Sequence, residues 1–249
     1  MNISRPHVKQ NSKVLIKERS PKVYLTAFEH MFVVWILTLL LTRLSGYREY
    51  TEAYYSFYRA TGELYTGAWP SVKLHAWLIC IAAYLLIMII DAGYAAYTLM
   101  VSRGQMTDSR SAMSGFDHPL KVICIGLIQK ILIYVGLAFF IVPGVMAAYS
   151  YKFAYYMLAD HPEYSAIECL RESRRISKGY KMQLFMLDLS FIGWRIVNAI
   201  IESVFLPVVE LWLLPYSGIT FATYYNIITN NAFDNRTVPT DGGFFPGSF

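Results

Sequence analysis

The sequence predicts an all-α membrane protein in which six apolar helices form a polytopic bundle. Of its 249 residues, 55% are hydrophobic and only 16% are charged, whereas soluble domains carry about 25% charged residues. The apolar residues fall into blocks near the length of about 20 residues that a helix needs to cross a hydrocarbon core. Lysine and arginine concentrate in alternate connections between these blocks, as the positive-inside rule describes.

The chain divides into a basic segment at 1–24, a membrane domain at 25–230 and a tail at 231–249. The tail is rich in glycine, proline and turn-forming residues, which predicts a flexible cytoplasmic segment. The predicted spans, with approximate bounds, are 25–44, 74–101, 119–141, a fourth from a tight Pro143-Gly144 turn to Ala159, 182–206 and 211–228.

The positions of the basic residues predict how the chain is oriented. Fifteen of the 22 lysines and arginines fall on one predicted side of the membrane and four on the other. This asymmetry predicts that both termini lie in the cytoplasm and that the number of spans is even. The net charge of +5 then reflects loops that face the anionic inner leaflet. No segment resembles a nucleic-acid-binding motif, so we expect no nucleic acid partner.

The outer connection at 45–73 is rich in tyrosine. Tyr50, Tyr54 and Tyr58 recur every four residues, as residues on one face of a helix do. Such aromatic stripes anchor helices at the headgroup layer. A ligand-binding aromatic surface is the alternative.

The connection at 161–179 predicts an amphipathic cytoplasmic helix. Asp160 or His161 can cap its start, Pro162 fits its first turn and Gly179 can end it. Its cations could bind anionic lipid or a partner, and the alternative is a solvated connector that lies on the bilayer. The candidate surface consists of Arg171, Arg174, Arg175, Lys178 and Lys181.

The fifth span carries charges of alternating sign at intervals of seven residues, namely Lys181, Asp188, Arg195 and Glu202. Seven residues are nearly two helical turns, so these side chains share one stripe. Consecutive members are about 10.5 Å apart along the axis, which predicts that each needs a partner from another helix or from water. A charge at the centre of the bilayer costs about 2.5–3.5 kcal/mol on the insertion scale. The stripe should therefore face the interior of the bundle.

Other charges in the apolar blocks extend this stripe into a predicted polar seam. We expect Asp91 to pair with Arg195 and Asp188 to pair with Lys152. A hydrated seam would bind a polar solute, a lipid headgroup or protons, whereas a dry seam would hold the helices together by salt bridges. The candidate seam comprises Asp91, Lys130, Lys152, Asp188, Arg195 and Glu202.

Familiar enzyme motifs are absent from the sequence. It lacks the H-E-x-x-H, G-x-S-x-G and phosphate-loop patterns. The three cysteines and five histidines show no metal-ligand spacing, so we expect neither a metal site nor a cofactor. His30 beside Glu29 could hold a proton or a metal ion, or the two could form an interfacial polar pair.

The segment IVPGVMAAYSYKFAYYMLADHPEYSAIECLRESRRISKGYKMQLFMLDLSFIGWR resembles the signature of domain-of-unknown-function family 975, a family of bacterial integral membrane proteins. The similar features are the IVPG turn, the D-x-P-E-x-x-A helix, S-R-x-x-x-K-G and D-L-S-F-I-G-W. LPYSGITFATYY is similar to a closing PY-x-x-x-T-x-x-x-Y pattern. The resemblance covers about 16–225 and implies a six-helix membrane protein of bacterial type, which we expect in the inner membrane, but it implies no activity.

These features favour a non-enzymatic accessory or scaffold protein that binds another membrane protein, a further copy of itself, or anionic lipid. A small carrier or channel-like protein with a polar intramembrane path is the alternative. A membrane-embedded lipid-modifying enzyme is a weaker alternative, because it would need an acid and a nucleophile at one depth and the sequence identifies no such pair.

Overall fold

The computed structural model describes residues 3–67, 74–105, 107–202 and 208–233, and these residues form helices with no strand among them. The predicted all-α class is therefore confirmed. In chain order the helices are α1 (Arg5–Arg19), α2 (Lys22–Leu44), α3 (Tyr47–Thr61), α4 (Leu74–Ser102), a 3-10 helix (Ser109–Phe116), α5 (Pro119–Phe139), α6 (Ile141–Tyr151), α7 (Ala154–Asp160), α8 (Ala166–Ile176), α9 (Lys181–Glu202) and α10 (Val208–Phe233).

Among the described residues, α2, α4 and α5 are long and apolar enough to cross a membrane. Most of the α2 and α5 side chains are exposed on the isolated chain, including Phe28, Phe32, Ile131 and Val135. An exposed apolar surface of this extent is expected where lipid covers a helix. The structure therefore supports a membrane protein with three spanning helices, and the other three predicted spans stay predictions.

The core lies where α4, α7 and α10 meet. Tyr97, Phe153, Met157, Tyr224 and Tyr225 are almost fully buried there. The rings of Phe153, Tyr156 and Tyr225 lie within 5.4–6.0 Å of one another. This aromatic packing holds one end of the bundle together, while the apolar faces of α2 and α5 are left for lipid.

The predicted fourth span is interrupted. Helix α6 begins at Ile141, so Pro143 and Gly144 lie inside its first turn, and Phe140 in an extended conformation makes the reversal from α5. Proline is tolerated in a first turn because the amide there has no helical partner. The helix then breaks at Lys152 and Phe153 before α7 begins. The prediction of one continuous span after a Pro143-Gly144 turn is therefore wrong.

The predicted cytoplasmic amphipathic helix forms, but it begins later than expected. Helix α8 starts after Ser165, whose hydroxyl accepts from the Glu168 amide while the Glu168 carboxylate accepts from the Ser165 amide. This reciprocal capping box satisfies two amides that a helix end leaves free. The predicted caps at Asp160 and His161 are therefore wrong. Gly179 adopts a left-handed φ of 90° in the turn that follows α8, close to the predicted stop.

The connection between α4 and α5 folds back along α4 as the 3-10 helix. Gly93 of α4 and Gly115 of the 3-10 helix let the two backbones touch. A Cβ atom at Gly93 would overlap the Ala112 carbonyl oxygen, and one at Gly115 would overlap the Ile89 carbonyl oxygen. Because only glycine lacks a Cβ atom, these positions fix where the 3-10 helix lies.

The basic segments meet at one end of the bundle. The Arg19 guanidinium of α1 donates to the Gln105 carbonyl oxygen in the loop after α4. The Lys121 ammonium of α5 donates to the Pro162 carbonyl oxygen at 2.6 Å, in the loop before α8. The segments that the sequence assigns to one side of the membrane therefore lie together.

The tyrosine-rich outer connection contains the predicted helix. Helix α3 has no buried residue, and the Tyr54 and Tyr58 rings stack at 6.4 Å with parallel planes. The predicted aromatic stripe is therefore formed, and its role as an anchor or ligand surface stays a prediction. The predicted flexible tail at 231–249 lies outside the described residues apart from the last turn of α10.

Candidate functional site

Asp188 of α9 lies at the centre of a charged cluster. Its carboxylate is 3.7 Å from the Lys152 ammonium and 3.0 Å from the Arg195 guanidinium. The Tyr149 hydroxyl of α6 donates a hydrogen bond of 2.9 Å to the same carboxylate. The Lys152 ammonium also lies 3.6 Å from the centre of the Phe221 ring of α10. Two cations and one hydroxyl donor therefore lie against one carboxylate, whose side chain is 18% exposed and whose Oδ1 accepts no hydrogen bond from the described residues. We call Tyr149, Lys152, Asp188 and Arg195 the Asp188 cluster.

The predicted pairing of Asp188 with Lys152 is confirmed, whereas the prediction that charges along α9 cannot pair with each other is wrong. Arg195 reaches Asp188 within the same helix, although the two positions are about 10.5 Å apart along the axis. Side chains lean towards the N-terminus of their own helix. The long arginine at the later position therefore leans towards Asp188 and covers the distance.

Asp91 of α4 forms a second and smaller contact. Its carboxylate lies 3.4 Å from Nε2 of His30 in α2, so the predicted pairing of Asp91 with Arg195 is wrong. The His30 side chain is 10% exposed, whereas that of Asp91 is 51% exposed. The His30 ring also packs against the Tyr94 ring at 4.4 Å. Adjacent residues on a helix point in different directions. His30 therefore faces α4 and does not pair with its neighbour Glu29. We call Asp91 and His30 the Asp91 pair.

The predicted seam separates into these two groups, which share no ion pair among the described residues. Lys130 is exposed on α5, where its charge acts on the Asp91 carboxylate. Glu202 is the last residue of α9, and its side chain is not among those that the structure describes. The described charges therefore do not form one line through the bundle.

A third charged network joins the ends of α4, α7 and α10 and was not predicted. Arg103 donates two hydrogen bonds to the Asp160 carboxylate, at 2.5 and 2.7 Å, and a third at 3.0 Å to Asn226 Oδ1. The Tyr225 hydroxyl donates to Asp160 at 2.9 Å, and the Asn226 amide donates to the Ser102 hydroxyl at 2.9 Å. Such two-pronged arginine–carboxylate pairs are among the stronger hydrogen bonds.

The sequence offered one signal for this network. Asp160 is the first residue of the D-x-P-E motif, which marked it as special without naming a partner. Its partner Arg103 lies 57 positions earlier, and no local pattern connects two residues so far apart. The network fixes the ends of three helices, so its position favours a structural role.

The predicted surface on α8 is present. Arg171, Arg174, Arg175 and Lys178 are exposed, and Lys181 at the start of α9 is half-buried. The opposite face of α8 is buried, and the Ser173 hydroxyl donates to the Ser150 carbonyl oxygen at 3.0 Å. Arg175 also pairs with Glu172 of the same helix at 2.6 Å. Helix α8 therefore presents its cations from a firmly packed support.

The thiol nearest this surface is a poor nucleophile. Cys169 is buried on the packed face of α8. Burial raises the pKa of its thiol to about 11, so the thiol stays protonated near neutral pH. The arrangement of α8 therefore suits binding through exposed charge rather than covalent chemistry.

The chain matches a known protein family over most of its length. The family described as Protein of unknown function (DUF975) matches residues 24–232. No curated protein and no solved structure matches the chain. The matched region holds the Asp188 cluster, the Asp91 pair and α8, and it begins after α1. The chain therefore belongs to family DUF975, in agreement with the resemblance carried by the Asp160–Gly179 motifs.

Proposed function

We propose that this protein is a non-enzymatic scaffold of the bacterial inner membrane, which binds another membrane protein through the basic face of α8. The observation that carries the proposal is the Asp188 cluster. Its carboxylate forms ion pairs with Lys152 and Arg195 and accepts a hydrogen bond from Tyr149, so its negative charge is already balanced within the chain. A charge in an apolar helix that is balanced by neighbouring side chains supports a structural contact between helices. The cations of α8, in contrast, point outwards.

The proposed topology has both termini in the cytoplasm. Helices α2, α4 and α5 cross the bilayer, and α6–α7 and the α9–α10 hairpin complete six crossings. The gathering of basic segments at one end supports this orientation, because the inner leaflet is anionic. A cysteine placed at Ser203, in a chain without its native cysteines, is expected to react with a membrane-impermeant maleimide added outside intact cells. Labelling only after lysis would contradict the outward position of that connection.

Native mass spectrometry of the protein, extracted with its surrounding lipid, tests the scaffold role. We expect a second protein at a fixed ratio, and we expect Arg171→Gln, Arg174→Gln and Lys178→Gln together to remove it. The matched control is Arg43→Gln, Arg48→Gln and Arg59→Gln, which removes the same charge from the opposite end. A lone chain in the wild type, or equal loss in both variants, would contradict binding through α8.

The second candidate is a small carrier, which the Asp91 pair favours. Asp91 is half exposed and contacts His30 alone at 3.4 Å among the described ion-pairing groups, with Lys130 nearby. A partly open carboxylate in an apolar helix can take a proton or a cationic solute. A small polar adduct in native mass spectra that Asp91→Asn removes, without a co-migrating protein, would favour this candidate over the scaffold.

A further inference from the structure

Helix α1 carries a regular row of cations beside its packed face. Val8, Ser12 and Ile16 are buried at intervals of four residues and dock the helix on the bundle. The cations at positions 5, 9, 13 and 17 follow the same interval, one residue further along. Residues one position apart on a helix are separated by about 100°. These cations therefore flank the docked face rather than point directly away from it.

Two of these cations lie over aromatic rings of the neighbouring helices. The Lys9 ammonium is 4.1 Å from the centre of the Phe191 ring and 3.5 Å from the Ser190 carbonyl oxygen. The Lys13 ammonium is 5.6 Å from the centre of the Tyr216 ring. A cation over a ring face within about 6 Å is attracted by the ring quadrupole. Both ammonium groups are thus held towards α9 and α10.

An open cavity of about 610 Å³ lies between α1 and this aromatic surface. Its lining includes Lys9, Gln10, Lys13, Trp194, Trp212 and Tyr216, with no carboxylate among the described residues that line it. The Trp194 and Trp212 rings are 5.3 Å apart, and the Trp212 and Tyr216 rings are 5.0 Å apart. The cavity therefore has a cationic wall opposite a continuous aromatic wall.

The composition of the two walls indicates the headgroup layer of a membrane. Tryptophan and tyrosine concentrate at membrane interfaces, and lysine there contacts anionic lipid. Helix α1 has five cations among 15 residues, too many for it to lie in hydrocarbon.

The charges in the cavity are uncompensated among the described residues. Lys9 and Lys13 are four positions apart, a spacing at which like charges repel, and neither forms an ion pair with a described carboxylate. Burial lowers the pKa of Lys9, and the neighbouring charges of Lys13 and Arg5 lower it further. An anion between the two ammonium groups would remove this repulsion.

We infer that the α1 cavity binds one anionic glycerophospholipid, with its phosphate between Lys9 and Lys13 and its glycerol against Trp212 and Tyr216. A choline headgroup would bring a third cation beside the two lysines, so zwitterionic lipid should bind more weakly. This inference rests on the proposed membrane location and not on the scaffold role.

The test uses the full chain, purified and placed in nanodiscs that contain equal amounts of phosphatidylglycerol and phosphatidylcholine. Native mass spectrometry then counts the lipids that stay bound. We expect the wild type to retain one phosphatidylglycerol. We expect Lys9→Gln with Lys13→Gln to weaken the binding of phosphatidylglycerol about 25-fold, at about fivefold for each lysine near an anionic headgroup.

Three controls separate this site from its alternatives. Arg5→Gln with Lys17→Gln removes the same charge from the same row outside the cavity, and should keep the lipid. Lys9→Arg with Lys13→Arg keeps the charge and should also keep the bound lipid. This control separates the loss of charge from a failure to fold when both lysines are replaced. Free glycerol phosphate should not displace the lipid, whereas displacement would identify a soluble phosphate site instead.

Equal loss in both glutamine variants, or no preference for phosphatidylglycerol in the wild type, would overturn the inference. Its outcome is separate from that of the scaffold proposal. A lipid bound by the purified chain says nothing about a protein partner, and a partner lost only with the α8 variant says nothing about the α1 cavity.

Discussion

The Asp188 cluster and the Asp91 pair place the same group, an aspartate in an apolar helix, in two different surroundings. Asp188 forms ion pairs with two cations, accepts a hydrogen bond from one hydroxyl and is 18% exposed. Asp91 has one contact at 3.4 Å to His30, and its side chain is 51% exposed. The first carboxylate is committed to holding α6 and α9 together, whereas the second keeps an open side.

An aspartate in an apolar helix therefore indicates a ligand site only when neighbouring cations do not already balance its charge. Removing one partner of a filled cluster leaves the others as uncompensated charges, which costs far more than the pair contributes. Removing the Asp91 carboxylate leaves less behind, because its ion-pair partner His30 carries a charge only when protonated. The following experiments test this contrast.

The largest expected effect is that of Asp188→Ala. It leaves Lys152 and Arg195 without their carboxylate, and we expect a loss of about 3 kcal/mol in the free energy of unfolding. The matched variant Asp91→Ala should cost about 1 kcal/mol or less. Denaturant unfolding in mild detergent, followed by circular dichroism, measures both. Similar losses in the two variants would mean that the two surroundings do not differ as described.

Replacing the whole Asp188 cluster by apolar residues should restore most of that loss. The variant combines Tyr149→Phe, Lys152→Leu, Asp188→Leu and Arg195→Leu. Well-packed apolar residues can match a buried ion network in stability, so we expect unfolding within about 1 kcal/mol of the wild type. The same variant should still retain its partner in native mass spectra. A folded variant without the partner would show that the cluster has a direct role in binding.

Chemical accessibility should differ several-fold between the two sites. In a chain in which Cys80, Cys124 and Cys169 are replaced, Asp91→Cys should react faster than Asp188→Cys with a small water-soluble methanethiosulfonate. The physical reason is that the side chain at position 91 is about half exposed, whereas the side chain at position 188 is mostly enclosed by its neighbours. Reaction rates followed by mass spectrometry measure the ratio. Faster labelling at position 188 would instead favour a hydrated path through that cluster.

The smallest expected effect is a control outside the membrane. The backbone and hydroxyl of Ser165 lower the pKa of Glu168 below its ordinary value of 4.5. A carboxylate with a lowered folded pKa stabilises the fold above its unfolded pKa, and this contribution is lost as the pH falls through the folded pKa. We expect Glu168→Gln to remove a small part of the acid sensitivity of unfolding. An unchanged profile would mean that the capping box contributes nothing measurable.

The sequence by itself determined the class of the protein. Blocks of apolar residues near membrane length predict helices wherever they occur, because a backbone in hydrocarbon must satisfy its own hydrogen bonds. The tyrosine stripe of α3 and the cations of α8 followed from spacing and charge alone. Of the two charge pairings expected from opposite sign, that of Asp188 with Lys152 is confirmed and that of Asp91 with Arg195 is wrong. Each of these depends on local periodicity or on a simple count of opposite charges.

Only the tertiary structure decided which charges meet. Arg195 turns back to Asp188, His30 faces Asp91, and Arg103 reaches Asp160 across 57 positions. Side-chain length and direction, and the close approach of helices at Gly93 and Gly115, decide these contacts, and none of them is periodic in the sequence. The docking of α1 beside Trp194 and Trp212 likewise depends on packing between distant segments. The amino-acid sequence therefore shows which charged groups are costly to bury, and the tertiary structure decides which of them have an ion-pair or hydrogen-bond partner.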